Sequence, residues 1–469
     1  MQSARHGTQR TIAITTSIPT SIPPGSDDSA RPLLFGLDER PPWPQTVVAT
    51  LAHLLAIVAS IATAPLLIAR GLNLDAATTQ YVIASALVIS GIATLIQVIR
   101  IGPFGSGLLS IQGTSYAFIG ALMLAGSLLS GQGLNSEQII GVLLGSAAVG
   151  AAVTVLAGYF VERLQRVITP TVTGIAVCLL GVTLVWTAIT NFRFALDSAE
   201  SQPLVWAQAG VVIVAIVALS TRNNPWLRMG SITLGLLAGM AFAWSTGGLA
   251  PLPETSLAPA MPLRFLPFPL GFDLGVFLVL TPIYFVTMAE AIGDLTATSM
   301  LSKQPLQGSS YWRRIRGGVM ADGLNSMLAA LAGTFPNTTF SQNNGVIRLT
   351  GVACRVVGIG VGLMLIVLGA LPGFSALFQS IPGGVLHSTT GLLFAMIALT
   401  GMRLLRAQAN VPRAMRMLLV CSALAFALTL IPGLAADQGL NLPPALAILF
   451  GFPVASGALL ALLWEWLWP

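Results

Sequence analysis

The sequence predicts an all-α polytopic membrane protein with fourteen transmembrane segments in two inverted repeats of seven, and short extended strands in broken spans 3 and 10. Three observations lead there. Only 8% of the residues are charged while 55% are hydrophobic, a balance too apolar for a soluble globule. Long apolar stretches recur along the chain, and about 17 helical residues or more cross a hydrocarbon core of roughly 30 Å. The basic residues gather on alternate connections, as the positive-inside bias requires.

Residues 1–43 come first, polar and rich in Ser, Thr and Pro, without an apolar run beside their basic residues. They read as a disordered cytoplasmic tail rather than a signal peptide. Twelve long spans follow, at 47–69, 81–99, 139–160, 167–189, 204–220, 231–246, 272–300, 317–335, 356–380, 385–405, 417–431 and 442–464. Two further apolar stretches, around Gln112 and Gln342, are interrupted by polar residues and glycine, and bring the expected count to fourteen. With a cytoplasmic N-terminus, fourteen of the 22 Lys and Arg fall in inner connections and four in the tail. Only Arg70, Arg193 and Arg264 fall outside, and Arg348 lies in an interrupted span. Both termini are therefore expected in the cytoplasm, in a cytoplasmic (inner) membrane, and the net charge of +6 needs no nucleic acid to explain it. Cys178, Cys354 and Cys421 are too scattered for a disulfide framework or a metal cluster, and no cofactor is implied.

Three carboxylates fall inside spans: Glu290 and Asp294 in TPIYFVTMAEAIGDLTATSM, and Asp322 in GGVMADGLNSM. Each costs about 2.5 to 3.5 kcal/mol on insertion scales and so faces a bundle interior or an aqueous cavity. Glu290 and Asp294, four apart, share one helix face. Glu290 lies roughly 20 Å before the inner basic connection at Lys303, near mid-membrane. Two such groups either tie helices together or bind a proton or a donor-rich ligand. His53, in the first span, is open to the same two readings, structural or proton-linked.

SIQGTSYAF (110–118) and TFSQNNGVI (339–347) are short extended-looking runs, each followed by sequence able to form a half-helix. Irregular backbone at membrane depth is tolerated where it lines a cavity, and half-helix N-termini offer free N–H groups to a ligand. The polar row Ser341, Gln342, Asn343, Asn344 thus marks a candidate binding site, with a polar helix contact as the plain alternative. Gln112 and Gln342 are 230 residues apart, Pro170 and Pro382 212 apart, and the first and eighth spans start 225 apart. Seven spans per half is odd, so the second half is inverted, as in secondary transporters.

At these residues the sequence resembles the nucleobase/ascorbate transporter family, the nucleobase-cation symporters. The signature stands here as QNNGVIRLTGVACR, with Gln342, Asn343, Gly345 and Thr350 in place; EAIGD at 290–294, ADG around Asp322, His53 and GTSYAF at 113–118 also fit. The resemblance covers roughly residues 44–468. It implies a core domain (spans 1–4 at 44–160, spans 8–11 at 268–381) and a gate domain (spans 5–7 at 161–250, spans 12–14 at 382–469). It also implies homodimers and proton-coupled uptake by elevator-like alternating access. By motif position, Glu290 and Gln342 would hold the base through side chains, and Tyr116 and Ser341 would contribute main-chain groups. Asn343 would brace the site, and His53, Asp294 and Asp322 would support proton coupling or site geometry. Uracil-type members carry Glu at the first signature position and His four residues after the eighth-span Glu. With Gln342 and Asp294 instead, this chain is similar to the xanthine and uric acid branch, whose substrate is a small purine. Arg348, inside the signature, and His387, in the twelfth span, depart from the usual pattern.

Other classes fit less well. A uracil or other nucleobase permease of the same family is the nearest alternative. An anion carrier of similar fold would want a site without a central glutamate. An enzyme would need a nucleophile, a metal cluster or a nucleotide loop, none of which the sequence offers, and a channel would need a continuous polar pore.

Overall fold

The computed structural model describes residues 33–164, 169–197, 201–249, 263–438, 440 and 442–468. Most of the expected tail, with Arg5, Arg10 and Arg31, and the connection carrying Arg166 lie outside the described residues. The chain forms α1 (Trp43–Gly71), α2 (Ala76–Ile99), β1 (Gln112–Thr114), a 3-10 turn (Tyr116–Phe118), α3 (Ile119–Gly131) and α4 (Ser136–Tyr159). Next come α5 (Val161–Leu164), α6 (Pro170–Asp197), α7 (Gln202–Ser220), α8 (Pro225–Met229) and α9 (Ser231–Ser245). The second half contains α10 (Leu274–Leu301), α11 (Gly308–Leu331), β2 (Asn337–Thr339), α12 (Gln342–Thr350), α13 (Arg355–Ala370) and α14 (Pro372–Gln379). It ends with α15 (Gly383–Arg406), α16 (Val411–Leu428), α17 (Ile431–Asp437), α18 (Pro444–Gly451) and α19 (Pro453–Leu467).

Among the described residues, eight helices are long and apolar enough to cross a membrane, or nine if α13 and the bent α14 count as one span. The protein is a mostly helical, multi-pass membrane protein. The difference from the expected fourteen has physical causes. Helix α11 begins nine residues before the expected 317 and so carries Arg313, Arg314 and Arg316 as well as Asp322. Helices α9 and α19 are only 15 residues long, and the two interrupted stretches are strand and half-helix. The expected span 442–464 is broken at Phe452, which is extended (φ −115°, ψ 96°) before Pro453, because proline pushes the preceding residue out of the helical region. Helix α13 ends in the same way at Leu371, before Pro372.

Helix pairing follows small residues. Helix α2 packs on α13, α4 on α11, and α6 on α15. Between α2 and α13, a Cβ on Gly91 would run into the Gly362 carbonyl, and one on Gly369 would meet the Ala84 carbonyl. Between α6 and α15, Gly401 faces the Cys178 backbone and Gly181 faces Ala398. Lipid tails give no hydrophobic drive between helices, so backbone proximity and dispersion carry the association. Gly91→Val is therefore expected to cost at least about 1 to 3 kcal/mol and to lower the melting temperature of the purified protein. Gly131→Ala, at a position with open space around it, serves as the control and is expected to leave it unchanged.

Residues 33–42, assigned above to the tail, are ordered. The Leu34 and Phe35 N–H groups donate to the Gly351 carbonyl (2.8 and 3.1 Å), and Ala353 and Arg355 N–H donate to the Phe35 and Leu37 carbonyls (both 3.0 Å). Arg355 pairs with Asp38 at 2.9 Å and donates to the Gly107 carbonyl at 2.7 Å. Leu37 is buried. The reason is the apolar run Leu33–Phe35 with Leu37, which sits beside a strand-like segment after α12 whose backbone groups need partners. On a connection outside the spans, Asp75 caps α2, and hydrogen bonds from the Thr78 hydroxyl and N–H hold its carboxyl below the usual range.

Candidate functional site

The two interrupted stretches meet. Strands β1 and β2 pair antiparallel, with Gln112 opposite Thr339, Gly113 opposite Thr338 and Thr114 opposite Asn337. The ladder runs on through Ser115 N–H to the Pro336 carbonyl (2.9 Å) and Phe340 N–H to the Ile111 carbonyl (3.0 Å). Gly113 lies against the Phe340 ring and Ile61 with no room for a side chain. Ser326 of α11 fixes the other strand, its hydroxyl donating to the Asn337 carbonyl (2.9 Å) and accepting from its N–H (3.1 Å). The pairing satisfies backbone groups that neither helix nor water would reach. It also brings together the beginnings of the 3-10 turn at Tyr116 and of α12, whose first N–H groups lack intrahelical partners.

Beside this crossing lies a cavity of about 750 Å³. Its wall includes Thr114 to Ala117, Glu290 and Asp294 of α10, Thr338 to Gln342, and Leu393, Met396 and Thr400 of α15. Asp294 is held: its Oδ2 accepts from the Ser341 hydroxyl (3.0 Å) and the Thr339 hydroxyl (3.3 Å). Its carbonyl accepts from Thr298 Oγ1 (2.8 Å) and Asn344 Nδ2 (3.3 Å). The carboxylate one turn earlier differs. Neither Glu290 nor the Gln342 amide has a side-chain hydrogen-bond partner among the described residues, and both face the cavity. One acceptor-only group and one amide with donors and an acceptor are thus free to meet a ligand.

Of the residues singled out in the sequence, Glu290, Asp294, Gln342, Ser341 and Tyr116 share this cavity. The others stand behind it. Asn343 is buried and donates through Nδ2 to the Leu109 carbonyl, tying α12 to the approach of β1. Asp322 is buried in α11, with Oδ1 3.5 Å from Gln97 Nε2. His53 is fully buried, and neither ring nitrogen has a protein partner. Tyr116, which lines the cavity, donates its hydroxyl to the Ser60 carbonyl (2.7 Å) and sets its ring edge-on to the buried Phe394 (5.6 Å). His387 is absent from the cavity wall, whereas Arg348 is part of it. Arg228 and Arg403 also line it. Sequence reasoning missed those two because they look like any other arginine on an inner connection.

A family model described as Permease family matches residues 44–435. The chain belongs to the nucleobase/ascorbate transporter family. Xanthine permease XanP of Escherichia coli (strain K12) is 39% identical over 401 residues, 84% of this chain and 86% of the relative. Xanthine permease XanQ of the same strain is 37% identical over 441 residues, 92% of each chain. A uric acid-xanthine permease of Emericella nidulans is 31% identical over 440 residues, 86% of this chain and 76% of the relative. Among solved structures, the transmembrane domain of the cyanobacterial bicarbonate transporter BicA aligns with a TM-score of 0.52 at 13% identity, over 80% of this chain and all of that one. SLC26A9 aligns at 0.54 and 11% identity, over 88% and 65%. These two share the fold with this nucleobase/ascorbate transporter family member. As a permease-family chain it is a transporter of nucleobases rather than an enzyme.

Proposed function

We propose that the protein imports xanthine, uric acid or both across the cytoplasmic membrane by proton symport, with elevator-like alternating access. The observation that carries this reading is the cavity that Glu290 and Gln342 share beside the two half-helix beginnings. Glu290 accepts from ring N–H groups. Gln342 pairs with an amide-like N–H and C=O edge, and the backbone N–H groups near Tyr116 and Ser341 meet carbonyl oxygens. Asn343 acts as a brace.

The same reading takes the chain as fourteen spans in two inverted repeats, with both termini cytoplasmic. The segments 44–160 and 268–381 form a core domain, and 161–250 and 382–469 form a gate domain. The α2–α13 and α4–α11 pairs within the first, and the α6–α15 pair within the second, support that division, and so does a cavity lined from both. The protein is taken to work as a homodimer.

Uptake of labelled xanthine in a strain lacking its own carriers, challenged with a panel of nucleobases, tests the assignment. Xanthine and uric acid are expected to compete strongly and uracil weakly; strong competition by uracil alone points to the uracil branch. For coupling, Asp294 and Asp322 are the carboxylates that take up a proton, and His53 supports coupling or site geometry. Uptake is expected to collapse with a protonophore and to rise at acidic external pH. Full uptake driven by a sodium gradient alone contradicts this.

A further inference from the structure

Three arginines line the cavity, from three different elements: Arg228 of α8, Arg348 of α12 and Arg403 of α15. The positive-inside bias sets Arg228 and Arg403 on inner connections, and so at the cytoplasmic end of the cavity. Arg348 lies six residues beyond Gln342, about 9 Å along α12. On α15 the wall runs from Leu393 through Met396, Ile397 and Thr400 to Arg403, so Arg403 is about 15 Å farther along than Leu393. Helix α12 packs against α8, which brings Arg228 to the same end.

None of the three makes a side-chain hydrogen bond or an ion pair among the described residues. The ion pairs present take Arg316, Arg355 and Arg413 instead, with Glu162, Asp38 and Glu465. Among the described residues, the carboxylates on the cavity wall are Glu290 and Asp294, and Asp294 is already engaged. Guanidinium groups are permanent cations in proteins. Three of them around one cleft, none held in an ion pair among the described residues, repel one another and focus a positive field into it. A bound anion relieves that repulsion.

We propose that Arg228, Arg348 and Arg403 form an anion-attracting vestibule at the inner end of the substrate path, which favours purines that have lost a ring proton over neutral ones. It rests on the purine reading above and deepens it. A planar oxidised purine with its charge spread over two adjacent heteroatoms matches the fork of a guanidinium, which binds such edges bidentately. Uric acid, the more acidic of the two candidates, is the substrate the vestibule favours, and xanthine is favoured less. The base reaches Glu290 and Gln342 at one end and the arginines at the other, so the vestibule is a second station rather than part of the central site.

The test is calorimetric binding of uric acid and xanthine to the purified full-length protein at one slightly acidic pH, where the first is mostly a monoanion and the second mostly neutral. Wild type is compared with Arg348→Gln/Arg403→Gln and with Arg348→Lys/Arg403→Lys. The double Gln variant is expected to lower the uric acid to xanthine affinity ratio about tenfold at low salt. Raising the salt is expected to shrink the difference, since exposed charges are screened. The Lys variant, which keeps the charge but not the guanidinium fork, is expected to recover part of the ratio. Equal losses for both ligands, an unchanged ratio, or no recovery with lysine overturns the vestibule while leaving the purine reading standing. Wild type that binds neither purine overturns both.

Discussion

Glu290→Gln is expected to abolish purine uptake while the protein still reaches the membrane in normal amount. The side chain faces the cavity without a protein partner, so its loss removes nothing that holds helices together. What it removes is an anionic acceptor for ring N–H groups at a desolvated site. A charge-assisted hydrogen bond there contributes about 1.5 to 3 kcal/mol, or roughly one to two decades of affinity. The replacing amide keeps one neutral acceptor, and its NH2 has nothing to offer a second ring N–H. Uptake of labelled xanthine, normalised to membrane protein by blotting, checks this; near-normal uptake with unchanged apparent affinity removes Glu290 from the site.

Gln342→Glu is the second large effect. The substitution keeps the size of the side chain but exchanges an amide with two donors for a carboxylate with none. It also adds a third acid to a cavity that already holds Glu290 and Asp294. The C=O of a xanthine or uric acid edge then faces an acceptor, and leaving buried polar groups unpaired costs about 1 to 3 kcal/mol. Purine affinity is expected to fall by roughly one to two decades with little change in expression, since the residue lines a cavity. Competition binding against labelled xanthine measures it, and purine affinity equal to wild type denies Gln342 the reading role.

Much of the site was legible because membrane burial makes polarity conspicuous. Glu290 and Asp294 stand one turn apart in an otherwise apolar helix, and the Ser341 to Asn344 row interrupts another stretch. The structure places Glu290, Asp294, Ser341 and Gln342 around one cavity. The extended runs at Gln112 and near Thr339 could be read from their interrupted hydropathy, but not their pairing register, which depends on contacts between residues more than 200 apart. Asp322, His53 and Asn343 carried the same polar signal as Glu290, yet stand behind the wall; burial of a polar group does not say which cavity, if any, it faces. Arg228 and Arg403 were hidden for the opposite reason, since a basic residue at a helix end is what the orientation rule already expects. The breaks at Phe452 and Leu371 were available from Pro453 and Pro372, and were outweighed by the length of the apolar runs. The ordered segment 33–42 was overlooked because its few apolar residues adjoin a polar tail.

The central claim is that the cavity beside the β1–β2 crossing reads a purine nucleobase. Titration calorimetry of the purified full-length protein with xanthine, uric acid and uracil, alongside Glu290→Gln as the site-specific control, tests it most directly. Saturable binding of xanthine or uric acid that is tighter than uracil binding, and that is lost in Glu290→Gln, is the predicted result. Preference for uracil, or purine binding that survives unchanged in Glu290→Gln, contradicts it.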